Sequence, residues 1–266
     1  MNSIIYTPAR WFFRTIGRTS AGIRLCLDEG LTSGKTVDYV YKNQPQGSFV
    51  VGKIIDKQFL NHPGWEGVRQ RRINLETLTA EAVAELREQK QNISLLDIAS
   101  GPAAYILSVL EKVGENDITT LCRDLEDRWL VEGAQSAQSK NLKHVRFEKG
   151  DALNAESLTA LTPKPNLIVA SGFYDWIVDD EIVKKSLSTI HKVLDENGYF
   201  IMTNQTAHPN LDFVQQVFTD FNQQPLKMTM RSEETIQQWL EGAGFKVNKT
   251  LKDSKGYYSV AKAQKK

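Results

Sequence analysis

Cysteine is nearly absent from this 266-residue sequence: Cys26 and Cys122 stand alone and far apart. That excludes a disulfide framework and suits a reducing cytoplasm, which is the expected location. The four histidines, His62, His144, His191 and His208, are scattered. Neither they nor the cysteines fall at metal-ligand spacing, so no metal site is expected. No charge of one sign dominates: 33 Lys and Arg stand against 32 Asp and Glu, for a net charge of +1. A nucleic-acid partner therefore has no global electrostatic basis. No apolar run reaches the length of a membrane-spanning helix. The stretch Ile4–Phe13 is interrupted by Pro8 and Arg10 and lacks the basic leader and cleavage site of a secretory signal. Internal repeats and low-complexity linkers are missing too. What remains is an ordinary globular composition, long enough for one sizeable α/β domain with an appendage. Lys265-Lys266 reads as a frayed tail.

The most telling segment is Ile93–Leu107, Ile-Ser-Leu-Leu-Asp-Ile-Ala-Ser-Gly-Pro-Ala-Ala-Tyr-Ile-Leu. An apolar strand ends at Asp97, crosses a turn of small residues, and restarts as a helix near Ala104. This is the pattern of a nucleotide-type cofactor loop at the first β-to-α crossing of a Rossmann-like sheet. Small residues let the backbone approach a ligand, and a helix N-terminus offers unpaired N–H groups. Glycine is sparse here: Ala99 and Ala103 stand where a full glycine-rich loop often has glycine, leaving Gly101. The acidic residue before the turn points away from a dinucleotide and toward S-adenosylmethionine (SAM). That cofactor has no pyrophosphate, but an amino-acid tail whose ammonium needs a carboxylate and whose carboxylate needs N–H donors. A strand, turn and helix with no ligand is the alternative for this segment taken alone.

From residue 93 strands and helices alternate. Strands are expected at 93–97, 118–122, 145–148, 166–171, 198–203, 245–250 and 256–262, and helices at 104–113, 127–138, 155–161, 179–194, 210–221 and 232–242. Alternation of this kind implies a mainly parallel sheet with helices on both faces. Asp253-Ser-Lys-Gly256 is a short turn, so the last two strands form an antiparallel hairpin. The fold class is α/β, a Rossmann-like seven-stranded sheet with an antiparallel C-terminal hairpin and an N-terminal helical extension. Residues 1–90 are read as that extension, a substrate lid or membrane contact, and residues 91–266 as the cofactor-binding domain.

Asp124 closes the second strand, where a carboxylate can accept from ribose hydroxyls; Asp151, after Gly150 and the third strand, can accept from an adenine amino group. Each alone is also an ordinary helix-start or turn aspartate. Three carboxylates ending three successive strands, Asp97, Asp124 and Asp151, converge on one crevice at the C-terminal sheet edge. The expected cofactor contacts are Asp97, Ala99, Ser100 and Gly101, then Asp124 and Leu125, Asp151 and Ala152, and Ser171. The loop Gly172-Phe-Tyr-Asp-Trp176 is not the Asn/Asp-Pro-Pro-Tyr/Phe tetrad of N-methyltransferases. His208, in the loop after the fifth strand, is the general-base candidate, followed by Tyr174 and Asp175.

In residues 1–34, Arg10, Arg14 and Arg18 share one helical face, with Phe12, Phe13 and Ile16 opposite and Trp11 at the border. Such a helix either lies on an anionic membrane surface or packs on the main domain with its arginines solvated. Arg69, Arg71 and Arg72 read as a site for an anionic substrate or as a solvated face.

These pieces resemble the class I SAM-dependent methyltransferases over about residues 93–263. From about Lys35 onward the chain more closely resembles a bacterial family of methyltransferases often fused behind an α/β-hydrolase domain. The matching segments are Val37-Asp-Tyr-Val-Tyr-Lys-Asn-Gln-Pro-Gln-Gly47, Gly52-Lys-Ile-Ile-Asp56, Gly64-Trp65, Val68-Arg-Gln-Arg71, Leu96-Asp-Ile-Ala99, Arg123-Asp124, Gly150-Asp-Ala152, Ser171-Gly-Phe-Tyr174 and His208-Pro209. Family members commonly carry a further Gly-Arg pair after the loop glycine; this chain has Ala103-Ala104 there. The resemblance implies methyl transfer from SAM to a small-molecule or lipid-related acceptor, because the family keeps company with phospholipid-head-group enzymes. Two other readings stand beside it: a non-catalytic SAM-binding module or partner subunit, and an RNA or protein methyltransferase using Arg69, Arg71 and Arg72. The acceptor, the atom methylated and the oligomeric state are not legible.

Overall fold

The computed structural model describes residues 3–220 and 222–266. Residues 1 and 2, inside the expected N-terminal helical segment, and Phe221, at the end of the expected helix 210–221, lie outside the described residues. By its contacts the chain forms two compact units: residues 1–70 with 208–228, and residues 71–207 with 229–266. The division falls within one long helix, upstream of the residue-90 boundary expected above.

The second unit holds the sheet. Its strands are β1 (Ile93–Ile98), β2 (Ile118–Asp124), β3 (Val145–Lys149), β4 (Leu167–Ala170), β5 (Tyr199–Gln205), β6 (Phe245–Lys252) and β7 (Tyr258–Lys265). They lie in the order β3-β2-β1-β4-β5-β7-β6. The pairs from β3 to β5 are parallel, and β7 runs antiparallel to both β5 and β6. The expected fold class is therefore the observed one.

Central strands buried on both faces must be apolar at every position, which is why β4 reads Leu-Ile-Val-Ala and every residue of it is buried. Alternation then sorts the side chains. Leu96, Ile98, Ile168, Ala170, Phe200 and Met202 pack with Val183, Leu187 and Ile190 of α9 (Asp180–Val193) and Ile236 and Leu240 of α11 (Glu233–Gly242). Ile93, Leu95, Val169 and Ile201 pack on the other face with Leu75, Leu78, Val83 and Leu86 and with Ile106 and Leu110 of α6 (Ala104–Val113). The C-terminal pair of lysines does not fray as expected. Lys265 closes β7, and its Nζ donates to Leu194 O at 2.9 Å and meets Glu196 at 2.8 Å.

The first unit is helical: α1 (Thr7–Arg14), α2 (Ala21–Asp28), α3 (Gly34–Lys42), α4 (Phe49–Leu60), the start of α5 (Pro63–Glu88), and α10 (Leu211–Val217). Its apolar centre joins Cys26 and Leu31 to Val214, Val217, Phe218 and Leu226. Its polar centre is Asp56, fully buried. That carboxylate accepts from Ser20 Oγ at 2.6 Å, from Gly22 N and Gln46 N at 2.8 Å each, and from the Tyr39 hydroxyl. Asp56 thus ties α2, α3, the loop after α3, and α4 together. The two long family-like segments, 37–47 and 52–56, are the ones that build this hub.

Candidate cofactor site

The β1–α6 loop is shaped by three left-handed residues at alternate positions: Ala99 (φ 50°), Gly101 (φ 54°) and Ala103 (φ 54°). An L-residue pays about 1–2 kcal/mol there, so two alanines in this conformation mark a backbone held against its own preference. Two contacts with the next strand and one within the loop hold it. Ser100 N donates to Arg123 O at 3.0 Å, Gly101 N to Asp124 Oδ2 at 2.8 Å, and, inside the loop, Ala103 N to Ser100 O at 3.0 Å. Asp124 Oδ1 also accepts from Glu126 N at 2.9 Å. A Cβ built on Gly101 would meet no atom within 4 Å, so this bend borders open space. No side chain caps the N-terminus of α6 directly behind it.

Asp97 lies beneath this loop with no exposed surface. Its Oδ1 accepts from the Tyr105 hydroxyl at 2.5 Å, while Oδ2, also buried, has no hydrogen-bond partner. Burial pushes the Asp97 carboxyl well up from the usual carboxylate range. The Tyr105 bond opposes that, and the neighbouring Asp124 charge adds to it. An unmatched buried acceptor leaves room for a donor from outside.

Parallel register brings the other two carboxylates alongside. Asp97 pairs with Cys122, two residues before Asp124, and Asp124 pairs with Lys149, two before Asp151. Asp151 is exposed, and its Oδ1 accepts from Leu153 N at 2.8 Å. Leu125 is 57 % exposed and Leu153 42 %, apolar side chains beside the last two carboxylates; Ala152 between them is buried. Leu153 was missed in the sequence, although it follows Asp151 much as Leu125 follows Asp124. Gly150 has a steric cause: a Cβ there would lie 2.2 Å from Nε of Arg123, whose buried guanidinium bonds Ser157 Oγ at 2.7 Å.

After β4, Ser171 is half-buried, and Gly172 N donates to Thr203 Oγ1 at 2.6 Å. Two acceptor candidates are placed otherwise than expected. Tyr174 is a core residue, 1 % exposed, with its hydroxyl 3.0 Å from Ser186 Oγ. Asp175 is 2 % exposed; its Oδ1 accepts from Gln205 N at 2.8 Å and its carbonyl from Thr229 N at 2.9 Å. Both side chains turn inward because the 3₁₀ turn Tyr174–Trp176 is clamped by Arg231, which donates to Tyr174 O at 2.9 Å and Ile177 O at 2.5 Å. Asp175 lies 3.8 Å from Arg71, whose guanidinium also stacks on the Tyr258 ring at 5.0 Å. Arg71 is therefore an interior residue. Arg72 bonds Glu76 at 2.7 Å, and Arg69 donates to Leu60 O at 3.0 Å, so the arginine run is not a solvated face.

His208 belongs to the first unit, unlike the other predicted site residues. Its Nδ1 accepts from Asn210 N at 3.1 Å, and Asn210 Nδ2 lies 3.0 Å from His62 Nε2. Burial, with help from His62, pushes the His208 pKa down to about 4, so its imidazole is neutral at physiological pH.

A sheet of this order and direction, with acidic residues at the ends of its first three strands, defines the class I methyltransferase fold. The chain belongs to the family described as "Putative methyltransferase", whose model matches residues 1–265. It is 35 % identical over 263 residues to the uncharacterized protein YnbC of Escherichia coli K12; the match covers 98 % of this chain and 45 % of YnbC. The chain thus spans less than half of that relative. Among solved structures it is similar to a "possible exported protein" of Bordetella parapertussis, with 16 % identity and a TM-score of 0.69 over 91 % of this chain and 82 % of that one. It is also similar to the magnesium protoporphyrin IX methyltransferase of Synechocystis PCC 6803, solved with bound SAH. There the identity is 14 % and the TM-score 0.61, over 90 % of this chain and 97 % of that one. At such identities the likeness is one of fold.

Proposed function

We propose that this methyltransferase-family protein uses SAM to methylate a small-molecule or lipid-related acceptor. The observation that carries the reading is the buried, unmatched Oδ2 of Asp97 beneath a loop that borders open space. Asp97 would take the ammonium of the cofactor's amino-acid tail, with Ala99, Ser100, Gly101 and the uncapped start of α6 beside its carboxylate. Asp124 keeps acceptor capacity for ribose hydroxyls, since two carboxylate oxygens offer about four lone-pair positions. Asp151 would take the adenine amino group, with Leu125, Ala152, Leu153 and Ser171 as apolar and backbone contacts. When bound, the cofactor supplies a methyl group on a positively charged sulfur. The residues' part is to hold the donor in line and exclude water, and that proximity supplies much of the rate.

The acceptor proposal rests on composition around the site. The loop after β4 lacks the amide-type tetrad and exposes Trp176 and Val178, 37 % and 60 % respectively, which favours an acceptor with apolar surface. Of the three general-base candidates, His208 alone keeps an incompletely buried side chain, but its Nδ1 is taken by Asn210 N, so the neutral ring has no free nitrogen with which to accept a proton. The internal bonds of Arg69, Arg71 and Arg72 weigh against an RNA or protein acceptor held by them.

Calorimetric titration with SAM and with S-adenosylhomocysteine tests the cofactor. Both bind the wild type. Asp97→Asn, which removes the charge but not the shape, weakens SAM by about tenfold or more, as expected for a lost charge-assisted hydrogen bond. If neither compound binds, or if Asp97→Asn binds SAM as the wild type does, the assignment is wrong.

A further inference from the structure

Two helices of the first unit turn polar groups inward and leave part of their apolar surface outside. In α1, Arg10 turns inward, with Nε donating to Gln216 O at 2.7 Å and Nη2 to Gln216 Oε1 at 3.1 Å. Phe13 packs beside it against Phe213 and Phe218. Trp11, Phe12 and, in the next turn, Ile16 are left 62 %, 37 % and 46 % exposed. In α4 the inward face is Gly52, Asp56 and, at its end, Leu60. A Cβ on Gly52 would strike Thr19 O at 2.5 Å, and Asp56 is the buried hub. The outward face carries Phe49, Val50, Val51 and Ile54, exposed by 87 %, 74 %, 59 % and 58 %. Phe49 has φ 55°, a conformation that bulky residues seldom adopt. The two apolar exposures adjoin, because Ser48 N donates to Thr19 O at 2.7 Å, joining the start of α4 to the turn after Ile16. Water-facing apolar surface of this extent marks an interaction site.

We propose that this edge docks the protein on an anionic phospholipid surface, with Trp11, Ile16, Phe49 and Val50 entering the headgroup layer. Charge complementarity selects that occupant. The apolar edge is flanked by Arg14, Lys53 and Lys57, while Arg18 is paired with Asp28 at 2.7 Å. No acidic residue precedes Asp28, and the single acid of α4, Asp56, is buried. On one flank Arg14 and Arg18 line a cavity of about 300 Å³ with Leu27, Val217 and Phe218 and the polar Thr219 and Gln223, a recess of mixed lining with room for a phosphate group. Among the described residues no helix is long and apolar enough to cross a membrane, so the docking is superficial. The inference does not depend on the cofactor assignment.

The test is co-sedimentation of the full chain with vesicles of phosphatidylcholine, with and without phosphatidylglycerol. The wild type sediments with the phosphatidylglycerol vesicles, less so as salt rises. The double variant Phe49→Asp/Val50→Asp, which changes only outward-facing side chains, melts like the wild type and loses binding by about tenfold or more, since affinity scales with the apolar area inserted. Arg14→Glu lowers binding to phosphatidylglycerol vesicles only. The proposal is overturned if the wild type ignores anionic vesicles at low salt, or if the double variant sediments undiminished. It is equally overturned if light scattering finds a wild-type dimer that the double variant dissociates, because a second copy then covers the edge.

Discussion

Asp97→Asn should make the protein more stable at neutral pH while weakening the proposed cofactor site. The side chain is fully buried, one oxygen accepts a single hydrogen bond from Tyr105, and the other accepts none. A buried polar group without a partner costs about 1–3 kcal/mol, and a charged one more. Asparagine keeps the shape and the acceptor for Tyr105 and leaves a neutral unmatched group in place of a charged one, so the gain at pH 8 is the excess cost of the charge, again on the order of 1–3 kcal/mol. For a domain of this size each kcal/mol moves the melting point by about 2–4 °C, which makes the shift several degrees upward. The sign follows from the raised carboxyl. The folded protein holds this proton to higher pH than the unfolded chain does, so the stability tied to it is complete at low pH and falls as pH rises through the raised value. At pH 4 the two proteins should melt together, and the gap should open toward pH 8. Thermal unfolding followed by circular dichroism at several pH values measures this. A gap independent of pH, or a variant less stable at pH 8, would refute the argument that Asp97 is held ready for a cation at a cost to the fold.

Further expectations concern other buried groups. Asp56→Ala strips the acceptor from four donors and should cost about 3–5 kcal/mol in urea unfolding, with Asp56→Asn milder. Gly150→Ala should lose about 1–3 kcal/mol by crowding Arg123, and its melting point should recover in the double variant Arg123→Ala/Gly150→Ala. The lowered pKa of His208 means that the stability tied to it is present above the ordinary histidine value and lost as pH falls toward 4. His208→Gln should therefore flatten the acid limb of the stability curve, as unfolding between pH 4 and 7 would reveal.

The sheet was legible because its strands are short, apolar and regularly spaced, and the turn at Asp253–Gly256 announced the hairpin. The ends were less so: the last strand, expected at 256–262, runs Tyr258–Lys265 because Lys265 finds the Leu194 carbonyl. The three carboxylates were legible from their spacing, since strand ends in a parallel sheet must share an edge. The burial of Tyr174 and Asp175 was not. It depends on Arg231, more than fifty residues away in sequence, and no local pattern encodes that clamp. The orientation of α1 was equally hidden. Periodicity shows that arginines and aromatics share the helix, but not that Gln216 would draw Arg10 inward and leave Trp11 outside. His62 and His208 are 146 positions apart in the sequence, and only Asn210 makes them a pair.

Arg123 and Gly150 illustrate how one strand can dictate the vocabulary of its neighbour. The guanidinium fills the volume that a side chain at 150 would need, so the residue that leads into Asp151 is chosen by β2 and not by its own turn. In descendants of this chain the two positions should drift as a couple: position 150 leaves glycine more readily where 123 has given up arginine or swung it aside.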